Sequence, residues 1–311
     1  MPLDPQAEAF LKQQKQSGHQ PWELMTPFEA RDAARKFKVF SGTPEPVGSI
    51  EYLFIPGPTA DLPVWIYRPQ KKLDGLHPAL VYFHGSGWVV SNIETADSFS
   101  RALANRTGCV IIAVNYQKAP EHKFPQPFDD CYSATEWVFD HAKELCIDST
   151  RIGLLGDSAG GNLAAAVALK ARDQNGPAIK LQLLVYPAVS FSWDTPSYIQ
   201  NAEGYGLQRA GMIYFWNHYM KQPSDAMNPY FSPLSATDHS NLPAAFIVAA
   251  EYDPLCDDAR NYARRLEESG VRVTFSLYQG MIHGFLWMAG IFDQSRALLD
   301  ELADQVKKEF G

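Results

Sequence analysis

Short apolar runs of strand length recur along the chain, at residues 79–83, 110–114, 152–156, 182–186, 245–250 and 273–277, and longer segments with helical spacing follow most of them. Strands that alternate with helices predict a mostly parallel sheet covered by helices. The runs Val110-Ile111-Ile112-Ala113-Val114 and Ala245-Phe246-Ile247-Val248-Ala249-Ala250 contain no polar alternation. Strands buried on both faces read this way, so these two are expected near the sheet centre. The spacing predicts helices near 98–106, 129–144, 159–172, 210–220, 257–269 and 293–309, and two earlier strands near 50–54 and 64–67.

Ahead of the first strand, Thr26-Pro27-Phe28-Glu29 places an N-cap threonine before a first-position proline, with a glutamate three residues on. That is a capping box, and it predicts a helix running to about Phe37. A further helix is expected at 5–16. The stretch 191–233 breaks the strand-helix rhythm, with Pro196, Pro223, Pro229 and Pro233 around one expected helix and seven aromatic residues between Trp193 and Tyr219. So much aromatic surface needs burial, which favours a lid over the sheet rather than a plain surface loop. No internal repeat is visible.

Composition narrows the class. The 311 residues are 46% hydrophobic and 20% charged, which excludes disordered and low-complexity chains. Lys and Arg number 27 against 35 Asp and Glu, a net charge of −8 without a basic run, and nucleic acid is not an expected partner. Cys109, Cys131, Cys146 and Cys256 form no C-x-x-C pair; free thiols are expected, with no zinc or redox motif and no metal or other cofactor. Neither a signal-peptide core near the N-terminus nor an apolar run of membrane-spanning length occurs, so a soluble cytoplasmic protein is the expectation.

The chemistry concentrates at strand ends. In Gly156-Asp157-Ser158-Ala159-Gly160 a G-x-S-x-G pattern joins an apolar strand to a helix rich in small residues, a junction whose tight turn projects Ser158 above the sheet. A serine hydroxyl needs a base, and the base needs a carboxylate to fix its tautomer. Among eight histidines, His283 is the candidate base, in a loop expected after strand 273–277. His239 precedes its strand, and His218 falls in the lid helix. Asp253 lies just past the end of strand 245–250, where ligand-facing residues of parallel sheets belong. Asp257 and Asp258 are rivals, read as capping and first-turn acids of the next helix. After strand 79–83, His84-Gly85-Ser86-Gly87-Trp88 offers small residues whose N–H groups can approach a developing oxyanion together with that of Ala159. His84 is expected to shape this loop by a hydrogen bond rather than to act as the base.

These motifs, with Asn115-Tyr116, the run Ala119-Pro120-Glu121-His122-Lys123-Phe124-Pro125, Asp253-Pro254-Leu255 and His283-Gly284-Phe285, resemble the hormone-sensitive-lipase-like bacterial carboxylesterases of the α/β-hydrolase superfamily over nearly the whole chain. The resemblance implies an α/β-hydrolase fold: a mostly parallel eight-stranded sheet with one antiparallel strand, flanked by helices. It implies one domain, 1–311, with a cap from about 1–45 and 190–233 and a catalytic core from the remainder. It gives Ser158, Asp253 and His283 as catalytic residues and the N–H groups of Ser86, Gly87 and Ala159 as the oxyanion hole. Trp88, Met212, Phe215 and Trp216 become substrate-binding residues. Ser86 departs from the family's usual glycine, and Gln117 stands where arginine is usual. Glu121 and His122 are expected to tie their loop to neighbours.

The expectation is a cofactor-independent serine carboxylesterase for short- to medium-chain esters of small molecules, with no membrane partner and self-association left open. Alternatives are a lipase or small-amide hydrolase on the same fold and, ranked last, a ligand-binding relative that has lost catalysis. The intact Ser158, Asp253 and His283 argue against the last.

Overall fold

A computed structural model describes residues 2–71 and 75–311. Its eight strands are β1 (Ser49–Ile55), β2 (Leu62–Arg68), β3 (His77–Phe83), β4 (Val110–Val114), β5 (Ile147–Asp157), β6 (Leu181–Val185), β7 (Ala244–Tyr252) and β8 (Val273–Ile282). They form one sheet in the order β1-β2-β4-β3-β5-β6-β7-β8. β2 pairs antiparallel with both β1 and β4, while every later pair is parallel. β2 is therefore the one reversed strand.

Alternation along the strands sorts the core into two layers. Val81, Phe83, Ile112 and Val114 pack on one face with helices α4 (Gln126–Asp140), α5 (Ala159–Asp173) and α8 (Cys256–Glu268). Leu80, Tyr82, Ile111 and Ala113 face the other way, toward α3 (Asp97–Thr107) and α9 (Asp293–Phe310). All five residues of β4 are buried, which is why that strand carries no polar alternation.

The N-terminal segment forms α1 (Pro5–Gln16) and α2 (Pro27–Lys36). Asp4 caps α1 by accepting from the Gln6 N–H at 2.8 Å, and the Thr26–Glu29 capping box opens α2. The 191–233 stretch holds two α-helices, α6 (Pro196–Gln200) and α7 (Arg209–Tyr219), and two 3-10 turns, where the sequence pattern predicted a single helix. Five-residue α6 is too short to show an apolar period. The two segments meet where Trp22 approaches Phe215, ring centroids 6.0 Å apart.

Strand β8 also corrects an expectation: it continues through Ile282 rather than ending at 277. A register shift between Ala250 and Tyr252 lets Tyr252 pair with Ile282. The polar and glycine residues at 279–280 resemble a loop in the sequence; they sit in that irregularity, where the Gly280 N–H donates to the Glu251 carboxylate at 2.7 Å and the Gly280 carbonyl accepts from the Asp4 N–H, before pairing resumes at Ile282.

Candidate active site

Strand register alone brings the chemical groups together. Because Tyr252 pairs with Ile282, the residues that follow, Asp253 and His283, leave the sheet side by side. Ser158 follows β5 at the centre, its N–H bonded to the Val185 carbonyl at 2.9 Å. His283 Nδ1 lies 2.6 Å from Asp253 Oδ2, and His283 Nε2 lies 2.9 Å from Ser158 Oγ. Asp253 is fully buried, and its other oxygen accepts from the Leu255 N–H at 2.9 Å. With both carboxylate oxygens engaged, His283 carries its proton on Nδ1 and leaves Nε2 free to accept from the serine.

The turn holding Ser158 is strained. Its φ of 56° and ψ of −121° lie where residues with a side chain rarely settle, at a cost of order 1–3 kcal/mol. Crowding enforces the turn: at Gly160 a methyl group would run into the Phe83 carbonyl, so only glycine lets α5 start this close to the sheet. The turn places Ala159 at the start of α5, directly after Ser158, where the positive end of the helix dipole lies.

Beside it, the loop after β3 is fastened from beneath. Asp157 accepts from the Tyr82 hydroxyl and the Gly85 N–H, both at 2.8 Å. Burial pushes the Asp157 carboxyl up to about 6, against these two hydrogen bonds that favour its charged form. Tyr116 donates to the His84 carbonyl at 2.7 Å, so Ser86 donates in turn to the Tyr116 oxygen at 2.5 Å, and Ser86 Oγ accepts from the Trp88 N–H at 3.0 Å. His84 is fully buried, stacks on Tyr116 and approaches the Gly85 carbonyl through Nδ1 at 3.2 Å. Burial lowers its pKa well below the usual imidazole value, which keeps it neutral. Among the described residues, the N–H groups of Ser86, Gly87 and Ala159 donate to no protein acceptor.

The Ser86 hydroxyl is thus engaged by Tyr116 and Trp88, and its φ is not positive, whereas Gly87 (φ 53°) and Trp88 (φ 60°) are left-handed. The substitution Ser86→Gly is expected to change kcat/KM by less than about tenfold, because the N–H survives. Ser86→Pro, which removes that donor, is expected to cost about 10²–10³. Steady-state kinetics of the two variants on one ester checks the pair.

A cavity of about 180 Å³ opens above Ser158 and His283. Met212 and Phe215 line it, and the Phe215 ring lies so close over Gly87 that a Cβ there would collide with it. Trp88 and Trp216 do not line it, contrary to expectation. Both are fully buried, with centroids 4.2 Å apart, and Trp88 stacks on Tyr219 at 4.6 Å. Phe215 and Trp216 are consecutive on α7 and so point about 100° apart, one to the cavity and the other into the aromatic core. The sequence reading missed the opposite wall, where Phe10, Gln14, His19, Trp22 and Phe37 come from the N-terminal segment and Trp287 from the turn after His283. Nothing in the periodicity of α1 distinguishes such residues from ordinary packing.

Other expectations resolve locally. Asp257 accepts from the Ser197 N–H at 2.8 Å and pairs with Arg260, while buried Asp258 accepts from the Ser190 N–H at 3.1 Å. Both acids stand in the first turn of α8, as expected, but neither caps it; their carboxylates anchor the 190–197 segment. Arg31 on α2 grips Glu121 with two nitrogens, at 2.8 and 2.5 Å, and bonds the Ala119 and Val89 carbonyls. This bond holds the Glu121 carboxyl at about 2. Gln117 bonds Asp130 through its backbone N–H at 2.8 Å and Thr59 through its amide. Among the described residues, no cluster of three or more His, Cys, Asp or Glu could hold a metal ion, and no helix is long and apolar enough to cross a membrane.

A family model described as the alpha/beta hydrolase fold matches residues 80–287, a span that contains Ser158, Asp253 and His283. An arylesterase from Saccharolobus solfataricus is 38% identical over 92% of this chain and 93% of its own length. The chain belongs to the hormone-sensitive-lipase-like α/β-hydrolases. Solved relatives of this α/β-hydrolase include an ester hydrolase from the metagenome of Lake Arreo (TM-score 0.96, 37% identity) and a hyperthermophilic esterase from Pyrobaculum calidifontis (TM-score 0.93, 38% identity), each covering 99% of both chains. The hydrolase is also 34% identical to an ethyl acetate hydrolase of Pseudomonas putida over 95% of both.

Proposed function

We propose that the protein hydrolyses short- to medium-chain carboxylic esters through an acyl-enzyme formed on Ser158. The observation that carries this reading is the continuous hydrogen-bonded line from Asp253 through His283 to Ser158 at 2.6 and 2.9 Å, beside three unengaged N–H groups. Ester hydrolysis is also what its relatives are named for. Ser158 Oγ attacks the ester carbonyl as His283 Nε2 takes its proton, and Asp253 stabilises the imidazolium that results. The oxygen that becomes negative is received by the N–H groups of Ser86, Gly87 and Ala159, in a site where fixed donors need no reorganisation. His283 then gives the proton to the departing alcohol, and a water activated by the same nitrogen releases the acid. The N-terminal segment and residues 190–233 act as the cap that walls the acyl and alcohol groups.

The size of the cavity sets the expected chain length. Each methylene that finds apolar wall is worth about 0.8 kcal/mol, so kcat/KM should climb by up to about fourfold per carbon and then fall once the cavity is full. A panel of p-nitrophenyl esters from two to sixteen carbons, with the matching anilide as control, checks this. Hydrolysis peaking among the short and medium esters is expected; a peak beyond twelve carbons would replace the reading with a lipase, and no ester turnover would end it.

A further inference from the structure

The cavity above Ser158 contains polar groups that the chemistry does not use. Asp157, Ser86 and the catalytic pair are engaged with protein partners. Among the lining side chains that carry an amide, imidazole or hydroxyl, three remain, Gln14, His19 and Ser91, and among the described residues none of the three makes a side-chain hydrogen bond. Two of them belong together: the His19 N–H bonds the Gln14 carbonyl at 3.3 Å, which closes the chain just after α1. The His19 ring sits edge-on to Trp22 and to Phe37, with centroids 5.5 Å away in both cases, and Trp22 in turn approaches Phe215. The polar pair is thus set in an aromatic wall.

We infer that Gln14 and His19 form a polar subsite of the cap, which selects esters bearing an aromatic body with a neutral hydrogen-bonding substituent. The inference rests on the ester-hydrolase reading of the same cavity. An alkyl substrate that fills the cavity strips water from both side chains and returns no hydrogen bond, whereas a hydroxyl or carbonyl returns one. The aromatic body follows from Trp22, Phe37 and Phe215, whose faces and edges suit a flat ring. Neutrality follows from the walls: among the described residues no Lys or Arg lines the cavity to receive an anion, and its one lining carboxylate, Asp157, is already engaged by Tyr82 and Gly85 rather than free for a cation. Burial also lowers the His19 pKa, so near neutral pH the imidazole offers one donor and one acceptor, and the amide of Gln14, lining the same cavity, offers both.

Matched substrates test it. Methyl arylacetates carrying para-hydroxymethyl or para-ethyl groups place the isosteric substituent on the acyl side, and benzyl acetates with the same two groups place it on the alcohol side. The readout is the ratio of kcat/KM for hydroxymethyl over ethyl, in which any general loss of activity cancels. In one of the two series this ratio is expected to fall about tenfold or more from wild type to the Gln14→Leu/His19→Phe double variant, chiefly through KM, with His19→Gln retaining part of it. The series that responds identifies the half of the ester that reaches the cap. Ratios equal within twofold in both series would overturn the subsite. Should the double variant not fold, the methyl ketones matching the arylacetates serve as inhibitors of the wild type, and a hydroxymethyl ketone no tighter than its ethyl partner would overturn the acyl-side subsite. Absence of turnover of all four esters by a wild type that hydrolyses p-nitrophenyl acetate would also overturn the subsite, whereas no turnover of any ester, or equal turnover by Ser158→Ala, would instead fail the ester-hydrolase reading.

Discussion

The variant Ser158→Ala is expected to fold as the parent does and to lose ester turnover by a factor on the order of 10⁴ or more. Removing one oxygen deletes the nucleophile and leaves the strained turn intact, because Ser158 holds that turn through backbone bonds, its N–H to Val185 and its carbonyl to Asn162 and Ala188. What survives would be the contribution of positioning and of the N–H donors acting on water. Steady-state rates on p-nitrophenyl acetate, with a thermal melt beside them, give the result directly. Retention of even a tenth of the parental activity would remove Ser158 from the mechanism.

The second large effect is expected at Asp253. In Asp253→Asn the Leu255 N–H still requires an acceptor, so the amide oxygen takes the position of Oδ1 and the NH₂ turns toward His283. The imidazole must then accept at Nδ1 and carry its proton on Nε2, where it can no longer receive the serine proton. A drop of about 10²–10⁴ in kcat follows from that tautomer alone. Asp257→Asn is the control, since Asp257 serves Ser197 and Arg260; it should cost roughly 1 kcal/mol of stability or less, with modest kinetic change. Rates and melts of both variants separate the roles, and the reverse ranking would transfer the orienting role to Asp257.

How far the sequence could be read depended on which physical constraint wrote each part. Strand β4 was legible because burial on both faces permits nothing but apolar residues. The positions of Ser158, Asp253 and His283 were legible because residue type and the end of a parallel strand restrict one another. The far end of β8 was not, since Gln279 and Gly280 carry loop chemistry and occupy the register irregularity after which the strand resumes its pairing at Ile282. Asp157 sits in the motif as an unspecified letter, and only its approach to Tyr82 and Gly85 gives it work. Trp216 and Phe215 look equivalent in the sequence, and helix phase alone sends one inward and the other to the cavity. The wall from Phe10 to Phe37 was hidden for a further reason: its partners outside the segment, Phe292 for Phe10 and Phe215 for Trp22, lie more than a hundred residues away, and local periodicity is blind to such pairings.

That wall bears on how such an enzyme changes over generations. The reacting groups hang from the ends of β3, β5, β7 and β8, locked by register, while much of the cavity wall belongs to the first forty residues, which are moored by the packing of Phe10 and Ala34 in the core and by bonds such as the Asp4 N–H on the Gly280 carbonyl and Arg31 on Glu121. Substitutions there can retailor diet without disturbing the chemistry beneath, provided those moorings stay. An exchange of this segment between cousins would carry appetite across and leave the reaction where it was.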